Sequence, residues 1–248
     1  DTPLVREILT HACLRLARHK PEQAWKHWQE IAKTHRFSEQ QAGKVLQRIA
    51  LTGALRNHPQ AAQWLASVPD HAVNADIRQW RVRVALSDGD WKDALRWIDE
   101  LNATERNAET WRYWRAYALE ADGASGDAFT DYARLAGERS YYGFLAADHL
   151  QRPYQMNDSR ISYEKEQLQD VEQIPGILRA RELYLAGKHL DARREWYHTT
   201  ASLSEHELKL LALLAHRWGW HDRAILTASR AGYWSDLTLR FPLPHRKS

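Results

Sequence analysis

The chain has 248 residues, with 35 Lys and Arg against 32 Asp and Glu, and its formal net charge is only +3. This near balance is unlike the strongly basic surface of a dedicated nucleic-acid binder, so we expect no nucleic-acid partner. No apolar run reaches the length of about 18 residues that a membrane span needs. The single cysteine, Cys13, excludes an intramolecular disulfide and does not distinguish cytoplasm from periplasm.

Apolar residues recur at helical spacing along the whole chain, and no sustained run of alternating β-branched residues predicts a sheet. Helix starts are predicted at Pro21, Pro59 and Pro175, because proline is favoured in the first helical turn. Ser204, with Glu207 three residues later, predicts a further start with a capping box.

A repeat runs through these helices as a glycine followed five residues later by an alanine. The glycine would end one helix in the left-handed conformation, and the alanine would let the next helix pack closely. The pairs are Gly89 and Ala94, Gly123 and Ala128, Gly187 and Ala192, and Gly219 and Ala224. Ala24 and Ala62 are predicted to hold similar places without the glycine.

The intervals between these six alanines are 38, 32, 34, 64 and 32 residues, and the 64 indicates one degenerate unit between Ala128 and Ala192. A period in the low thirties is typical of helix-pair solenoids. We therefore predict an all-α fold, a right-handed α-superhelix of antiparallel helix pairs of the tetratricopeptide type.

The degenerate unit contains ERSYYGFLAADHLQRPY, residues 138–154. Gly143, Ala146 and Ala147 share one helical face, which predicts close docking against a neighbouring helix. A long irregular segment is predicted after it, over residues 152–174. Long loops in compact arrays are often functional, and a solvated connector is the alternative.

No motif for metal, cofactor or nucleophilic chemistry is present. His216 and His221 lie five apart across a glycine turn, which is not the spacing of two ligands on one helix, and no HExxH or CxxC occurs. Glycine-rich phosphate loops are absent, and Cys13 is predicted to lie in the middle of a helix, without an evident basic microenvironment that would activate its thiol. We expect neither a metal site nor a cofactor.

Tryptophan is abundant, with 12 residues, and two segments interleave it with arginine: RQWRVR at 78–83 and WRYWR at 111–115. Trp111 and Trp114 are one turn apart, so they would form an inter-helix core stripe with arginines extending outward. Sugars or bases stacked on these rings are the alternatives. The candidate glycan contacts are therefore Trp111, Trp114 and Arg115.

Two stretches, YYGFLAADHL at 141–150 and LTLRFPLP at 237–244, resemble segments of the large soluble lytic murein transglycosylases of Gram-negative bacteria. ETWRYWRAYALEADG and RARELYLAGKHLDARREW resemble that family's intervening segments in the same order. The resemblance implies a periplasmic protein in which a U-shaped superhelix and a linker domain form a ring. It assigns 1–151 to the end of the superhelix, 152–175 to a connector and 176–248 to the linker domain.

In that family a lysozyme-like domain cleaves the β-1,4 bond between N-acetylmuramic acid and N-acetylglucosamine. One glutamate there acts as acid and then base, giving a 1,6-anhydro product. The Glu-Ser pair, the Gly-Leu-Met-Gln segment and the Asn-Ala-Gly-Pro segment that mark this domain are absent from the chain. The resemblance therefore supplies no catalytic residue, and we expect this chain to be inactive alone.

The resemblance implies a scaffold for the catalytic domain that contacts peptidoglycan strands or stem peptides. Tyr141, Tyr142, Arg240 and Phe241 are the candidate domain-docking residues, although the tyrosines would instead be buried if they belong to the solenoid's own core. An uncapped solenoid end would favour self-association. The alternative function is a protein–protein scaffold of the tetratricopeptide type. An RNA-binding repeat is disfavoured because no regular base-reading pair recurs.

Overall fold

The structure is a computed structural model that describes residues 1–243. Over these residues it contains helices and no strand, which confirms the predicted all-α class. The chain divides into two compact units, Asp1–Gln155 and a second that begins at Met156. No helix among the described residues is both long and apolar enough to cross a membrane.

The first unit contains ten α-helices, numbered α1 to α10, and one short 3₁₀ turn. Their bounds are Pro3–His19, Pro21–Thr34, Glu39–Leu55, Ala61–Ala66, Ala75–Asp88, Trp91–Asp99, Ala103–Arg106, Glu109–Ala121, Ser125–Leu135 and Tyr141–His149, with the 3₁₀ turn at Asp70–Ala72.

The second unit contains six helices, α11 to α16, within the described residues. Their bounds are Lys165–Glu172, Pro175–Leu185, His189–Thr200, Glu205–Arg217, His221–Arg230 and Leu237–Arg240. Its core gathers Leu168 and Val171 with Ile177, Trp196 and Trp220.

The predicted glycine turns are confirmed. Gly89 ends α5 at a φ of 73°, and the N–H of Asp90 bonds back to the carbonyl of Ala85 at 2.9 Å. Gly123, Gly187 and Gly219 have φ values of 92°, 73° and 73° in the equivalent turns. These turns join α5 to α6, α8 to α9, α12 to α13 and α14 to α15, and each pair packs together.

The small residues after these turns are fully buried, as predicted: Ala94, Ala128, Ala192 and Ala224 expose 1% or less. The prediction for Ala62 was wrong, because Ala62 is exposed and its neighbour Ala61 is buried. One residue rotates the side chain about 100° around a helix axis. Helix α4 starts at Ala61, two residues after Pro59, whereas Pro21 and Pro175 are first residues of their helices as predicted.

The segment predicted to be irregular over 152–174 is irregular only as far as Glu164. Helix α11 follows, and its Leu168 and Val171, three residues apart, are buried in the second core. Glu164 and Gln167 form a capping box at its start. The run EKEQLQDVEQ is polar overall, but these two apolar residues on one face suffice to dock a short helix.

Helix α10 packs as its small residues predict. Gly143, Ala146 and Ala147 are all buried, and Ser140 caps the helix by accepting the N–H of Gly143 at 3.1 Å. A Cβ added at Gly143 would lie 2.1 Å from the carbonyl oxygen of Glu138. The helix therefore approaches the preceding backbone more closely than any side chain allows.

Candidate functional site

The first unit contains an open cleft of about 540 Å³ between α5, α8 and α10, which we call the tryptophan cleft. This volume falls within the range of about 300–1,000 Å³ that is typical of ligand sites. The cleft is lined by Arg83, Leu86 and Ser87 from α5, Thr110, Trp111 and Trp114 from α8, and Tyr142 from α10.

Helical spacing aims these side chains at one place. Arg83 precedes Leu86 and Ser87 by three and four residues, and Trp111 precedes Trp114 by three, so each set shares one face of its helix. Trp111 is buried against Val82, Ile98 and Leu101, which confirms the core interpretation for that ring. Trp114 is only partly buried.

Six aromatic rings form a continuous row beside the cleft, which we call the aromatic row. Successive centroids lie 5.2 to 5.7 Å apart, and most contacts are edge-to-face. Contacts of this kind stabilise by about 0.5–1.5 kcal/mol each beyond simple burial. In spatial order the row is Tyr141, Tyr142, Tyr113, Trp114, Tyr117 and Trp91.

The row remains partly open to solvent although its members support one another. Tyr141 exposes 69% of its surface and Tyr117 exposes 39%. Burial raises the pKa of the Tyr113 phenol, and the neighbouring tyrosines and Glu120 raise it further. The Tyr113 phenol therefore stays protonated at neutral pH and can both donate and accept hydrogen bonds.

Arg83 contacts two indole rings at the edge of the cleft. Its guanidinium carbon is 5.1 Å from the Trp111 ring centroid and 5.4 Å from that of Trp80, and it donates one hydrogen bond to Gln79 at 3.1 Å. No carboxylate pairs with Arg83 among residues 1–243. The cleft therefore combines a cation with aromatic faces and hydroxyl groups.

The predicted site residues separate into three groups. Trp111, Trp114 and Tyr142 meet at the tryptophan cleft, and Tyr141 continues the row beside it. Arg115 was predicted to accompany the tryptophans, but it does not line the cleft and instead pairs with Asp131 on α9. A residue directly after Trp114 lies about 100° further around the helix, which turns Arg115 toward α9.

Arg240 and Phe241 lie in the second unit. The Arg240 guanidinium carbon is 4.9 Å from the Trp234 ring centroid and 5.3 Å from that of Phe241, and Phe241 exposes 60% of its surface. Phe241 contributes to a second cleft of about 480 Å³. The other residues of that cleft are Met156, Arg160, His216, Leu237, Thr238, Pro242 and Leu243.

A strap formed by residues 158–161 closes one side of this unit. The N–H of Ser159 donates to the carbonyl of Ser235 at 2.9 Å, and Asp158 accepts the N–H of Leu237 at 2.9 Å. Ile161 is buried and packs with Leu239. Residues 158–161 of the predicted connector are therefore integrated into the second unit.

Asp236 is the buried carboxylate beneath the strap, and it accepts hydrogen bonds from the backbone amides of Ile161 and Leu239. Burial alone would raise its pKa. The hydrogen bonds from Thr238 and these amides, with the charge of Arg160, outweigh burial, so the pKa of Asp236 lies below its ordinary value.

His216 and His221 have ring centroids 5.1 Å apart. Burial, followed by the neighbouring His221, lowers the pKa of His216, which favours the neutral ring. Over residues 1–243 no group of three or more His, Cys, Asp or Glu side chains is arranged to hold a metal ion.

Two features of the cleft were not predicted as site residues. Arg83 lies three residues after Trp80 within RQWRVR, so the spacing was visible in the sequence. Tyr113 and Tyr117 are four residues apart on α8 and complete the aromatic row. Their contacts with Tyr142 and Trp91 depend on which helices pack together, and the periodicity of a single helix does not predict that packing.

Comparison with known proteins relates both units to one group of enzymes. Residues 170–237 match the family described as the soluble lytic murein transglycosylase L domain. The soluble lytic murein transglycosylase of Escherichia coli (strain K12) is 26% identical over 246 residues, covering 98% of this chain and 38% of that protein.

Solved structures agree with this relationship. Lytic transglycosylase Slt from Pseudomonas aeruginosa, an inactive mutant, matches with a TM-score of 0.79 and 32% identity, over 99% of this chain and 40% of that one. The 70-kDa soluble lytic transglycosylase from Escherichia coli matches in fold with a TM-score of 0.76 and 24% identity, over 98% of this chain and 39% of that one. The chain therefore spans about two fifths of these relatives, and it matches a part of the soluble lytic murein transglycosylases over nearly all of its own length.

Proposed function

We propose that this chain is a non-catalytic helical region of a peptidoglycan lytic transglycosylase, and that it contacts glycan strands through the tryptophan cleft. The observation that carries the proposal is the cleft itself. It joins aromatic faces, hydroxyl groups and a cation in one open site. The relatives of the chain are soluble lytic murein transglycosylases.

The chemistry of the cleft suits a sugar. The apolar face of a pyranose stacks on an indole or phenol ring, and the equatorial hydroxyl groups then point to polar side chains at the rim. Trp114 and Tyr142 offer such rings, and Thr110 and Ser87 offer hydroxyl groups. Ligand sites commonly combine aromatic surface with a few such polar groups. Arg115 is left out of this proposal because Asp131 engages its guanidinium.

The tryptophan cleft offers binding without an acid for catalysis. No carboxylate of the described residues lines it, whereas glycosidic cleavage needs a carboxyl group held against the bond. We expect no anhydro-muropeptide release when purified sacculi are incubated with this chain alone. Release at a rate above that of a heat-denatured sample would contradict the assignment.

Sedimentation with purified sacculi tests the binding proposal. The wild-type chain is expected to pellet with sacculi at low salt, and Trp114→Ala is expected to remain mostly in the supernatant. Phe129→Ala is the matched control, because Phe129 exposes 51% of its surface in the same unit and lies outside the aromatic row. Equal pelleting of all three proteins, with unchanged circular dichroism, would remove the cleft from the proposal.

The second part of the proposal concerns the lysozyme-like domain that the resemblance implies. We assign residues 1–151 to the end of the U-shaped region, 152–175 to the connector and 176–248 to the linker domain. The change of compact unit after Gln155 and the family match over 170–237 support this division. We also propose a periplasmic location, because the relatives are murein transglycosylases and peptidoglycan lies in the periplasm.

Arg240 and Phe241 would dock the lysozyme-like domain in this scheme, with Tyr141 and Tyr142 as further contacts. The exposed ring of Phe241 and the apolar wall of the second cleft support the choice. A separately produced lysozyme-like domain of a relative is expected to bind the chain, and Phe241→Ser is expected to weaken that binding at least tenfold. Unchanged affinity of Phe241→Ser would exclude Phe241 from the contact.

The self-association that we propose would use an exposed apolar face of α1. Leu4 and Ile8 expose 65% and 58% on one face of α1, since they are four residues apart. Sedimentation equilibrium of the wild-type chain and of Leu4→Glu measures whether each protein is a monomer or an oligomer. A monomer at all concentrations for both proteins would refute the self-association part.

A further inference from the structure

We infer that Arg83 forms an anion subsite in the tryptophan cleft that takes a carboxylate of the glycan or of its attached peptide. The inference rests on the proposed glycan contact and adds a specificity to it. A neutral sugar chain would use the aromatic faces alone, whereas a chain carrying carboxylates would also engage the guanidinium.

The guanidinium of Arg83 lies against aromatic rings. Its carbon lies 5.1 Å from the centroid of Trp111 and 5.4 Å from that of Trp80, so both indole rings contact the cation. Such cation–π contacts attract the guanidinium without using its N–H donors. Arginine has five N–H donors, and only the bond to Gln79 is used among the described residues.

Arg83 differs from the neighbouring arginines in having no acidic partner among the described residues. Helices α5 and α8 carry five arginines, and four of them have a carboxylate within 4 Å: Arg78 with Glu105, Arg81 with Glu100, Arg112 with Glu138, and Arg115 with Asp131. Arg83 has none within the described residues. The fold thus neutralises every arginine of these two helices except the one that faces the cleft.

Two cavities meet beside Arg83. A smaller cavity of about 110 Å³ adjoins the cleft, and Arg83 and Ser87 line both. A substituent on a sugar in the larger space would therefore meet the guanidinium at the junction. Asp88 lines the smaller cavity as well, but it makes no ion pair with Arg83.

The ligand chemistry follows from the donor geometry. A planar guanidinium with several unused N–H groups matches a carboxylate through two parallel hydrogen bonds. Peptidoglycan offers carboxylates of two sources: the lactyl group of muramic acid, which is free where the peptide has been removed, and the stem peptide. N-acetylglucosamine chains carry none.

Calorimetric titration of the full chain tests the inference with four probes. These are glycan strands stripped of peptide, the same strands with their lactyl carboxylates converted to methylamides, chitotetraose, and a free stem peptide. The wild-type chain is expected to bind a carboxylate-bearing probe roughly tenfold more tightly than its neutral counterpart at low salt, which is the range for a hydrogen-bonded charged pair. The preference is expected to shrink as salt is raised.

Variants of Arg83 assign this preference to its guanidinium. Arg83→Gln is expected to reduce the ratio to about one, because it lowers the affinity for the carboxylate-bearing strands more than the affinity for chitotetraose or the methylamide strands. Arg83→Lys, which keeps the charge but not the planar fork, is expected to retain part of the preference. Arg15→Gln is the matched control, since Arg15 is exposed on α1 and lies outside the cleft, and it is expected to behave as wild type.

The four probes also distinguish the two carboxylate sources, and they distinguish failure of the anion subsite from failure of the glycan proposal. A preference for the stripped strands indicates the lactyl carboxylate, and Arg83-dependent binding of the free peptide indicates the stem; either result supports the inference. Wild-type binding of glycan with the same affinities in Arg83→Gln would overturn the anion subsite alone. Absence of binding to all three glycan probes by the wild-type chain would overturn the glycan proposal and the subsite together.

Discussion

Replacement of Gly143 by alanine is the perturbation whose outcome the structure specifies most directly. An added Cβ would lie 2.1 Å from the carbonyl oxygen of Glu138 and 2.9 Å from that of Leu135. Both distances are shorter than nonbonded carbon and oxygen atoms tolerate. Both obstacles are main-chain atoms, so no side-chain rotation can relieve the overlap, and α10 itself must move by about 1 Å.

The expected cost combines two opposing effects. Alanine in a helix interior is favoured over glycine by roughly 0.5–1 kcal/mol. Overpacking of a closely packed interior costs about 1–3 kcal/mol and sometimes more, and a contact with rigid backbone belongs at the upper end. We therefore expect Gly143→Ala to lower the free energy of unfolding of the first unit by about 2 kcal/mol.

Urea denaturation followed by circular dichroism measures this change, and hydrogen exchange of peptides from α9 and α10 locates it. Gly126→Ala is the matched control, because Gly126 also lies in a helix and nothing among the described residues comes within 4 Å of its added Cβ. Gly126→Ala is expected to be neutral or slightly stabilising. If Gly143→Ala were as stable as Gly126→Ala, the close approach of α10 to the preceding backbone would be refuted.

Three further changes test the second unit. Asp236→Ala is expected to lower the free energy of unfolding by about 2 kcal/mol, since it leaves buried amides unpaired. Because the pKa of Asp236 is lowered, the stabilisation that it gives at neutral pH is lost as the pH falls through that pKa. Acid titration of the variant is expected to lack this step. Trp196→Phe removes the buried 3.0 Å hydrogen bond to Thr227, and it is expected to lower the free energy of unfolding by about 1–3 kcal/mol and the melting temperature with it. The double variant Trp196→Phe with Thr227→Val is expected to recover part of this loss. Ser204→Ala removes a capping box and is expected to cost about 1 kcal/mol in urea denaturation, and an unchanged midpoint would refute the capping role.

The sequence predicted the helix pairs well because their signals are local. Gly89 and Ala94 lie within one turn and the next helix, so their spacing alone indicates both the left-handed turn and the close contact. The prediction for Ala62 was wrong by one residue, because the start of α4 was predicted at Pro59 and the register of a helix decides which residues share its buried face. Helix α11 was missed because only Leu168 and Val171 distinguish it from a polar loop.

The candidate site was predictable in parts and not as a whole. Trp111, Trp114 and Tyr142 were each singled out, but no periodicity shows that α8 and α10 present them to one cleft with α5. Arg83 and Arg115 show the limit most clearly. Both follow a tryptophan in basic-aromatic segments, and only the partner helix decides that Asp131 neutralises Arg115 while Arg83 has no carboxylate partner among residues 1–243.

The strap of residues 158–161 determines where this chain can be cut. A recombinant piece limited to the matched residues 170–237 would begin after the strap and end before Leu239. It would leave Ala212 and Ala228, which pack with Ile161 and Leu239, uncovered in water. A truncation that starts at Met156 would keep these contacts, so that boundary is the one from which an autonomously soluble fragment should be prepared.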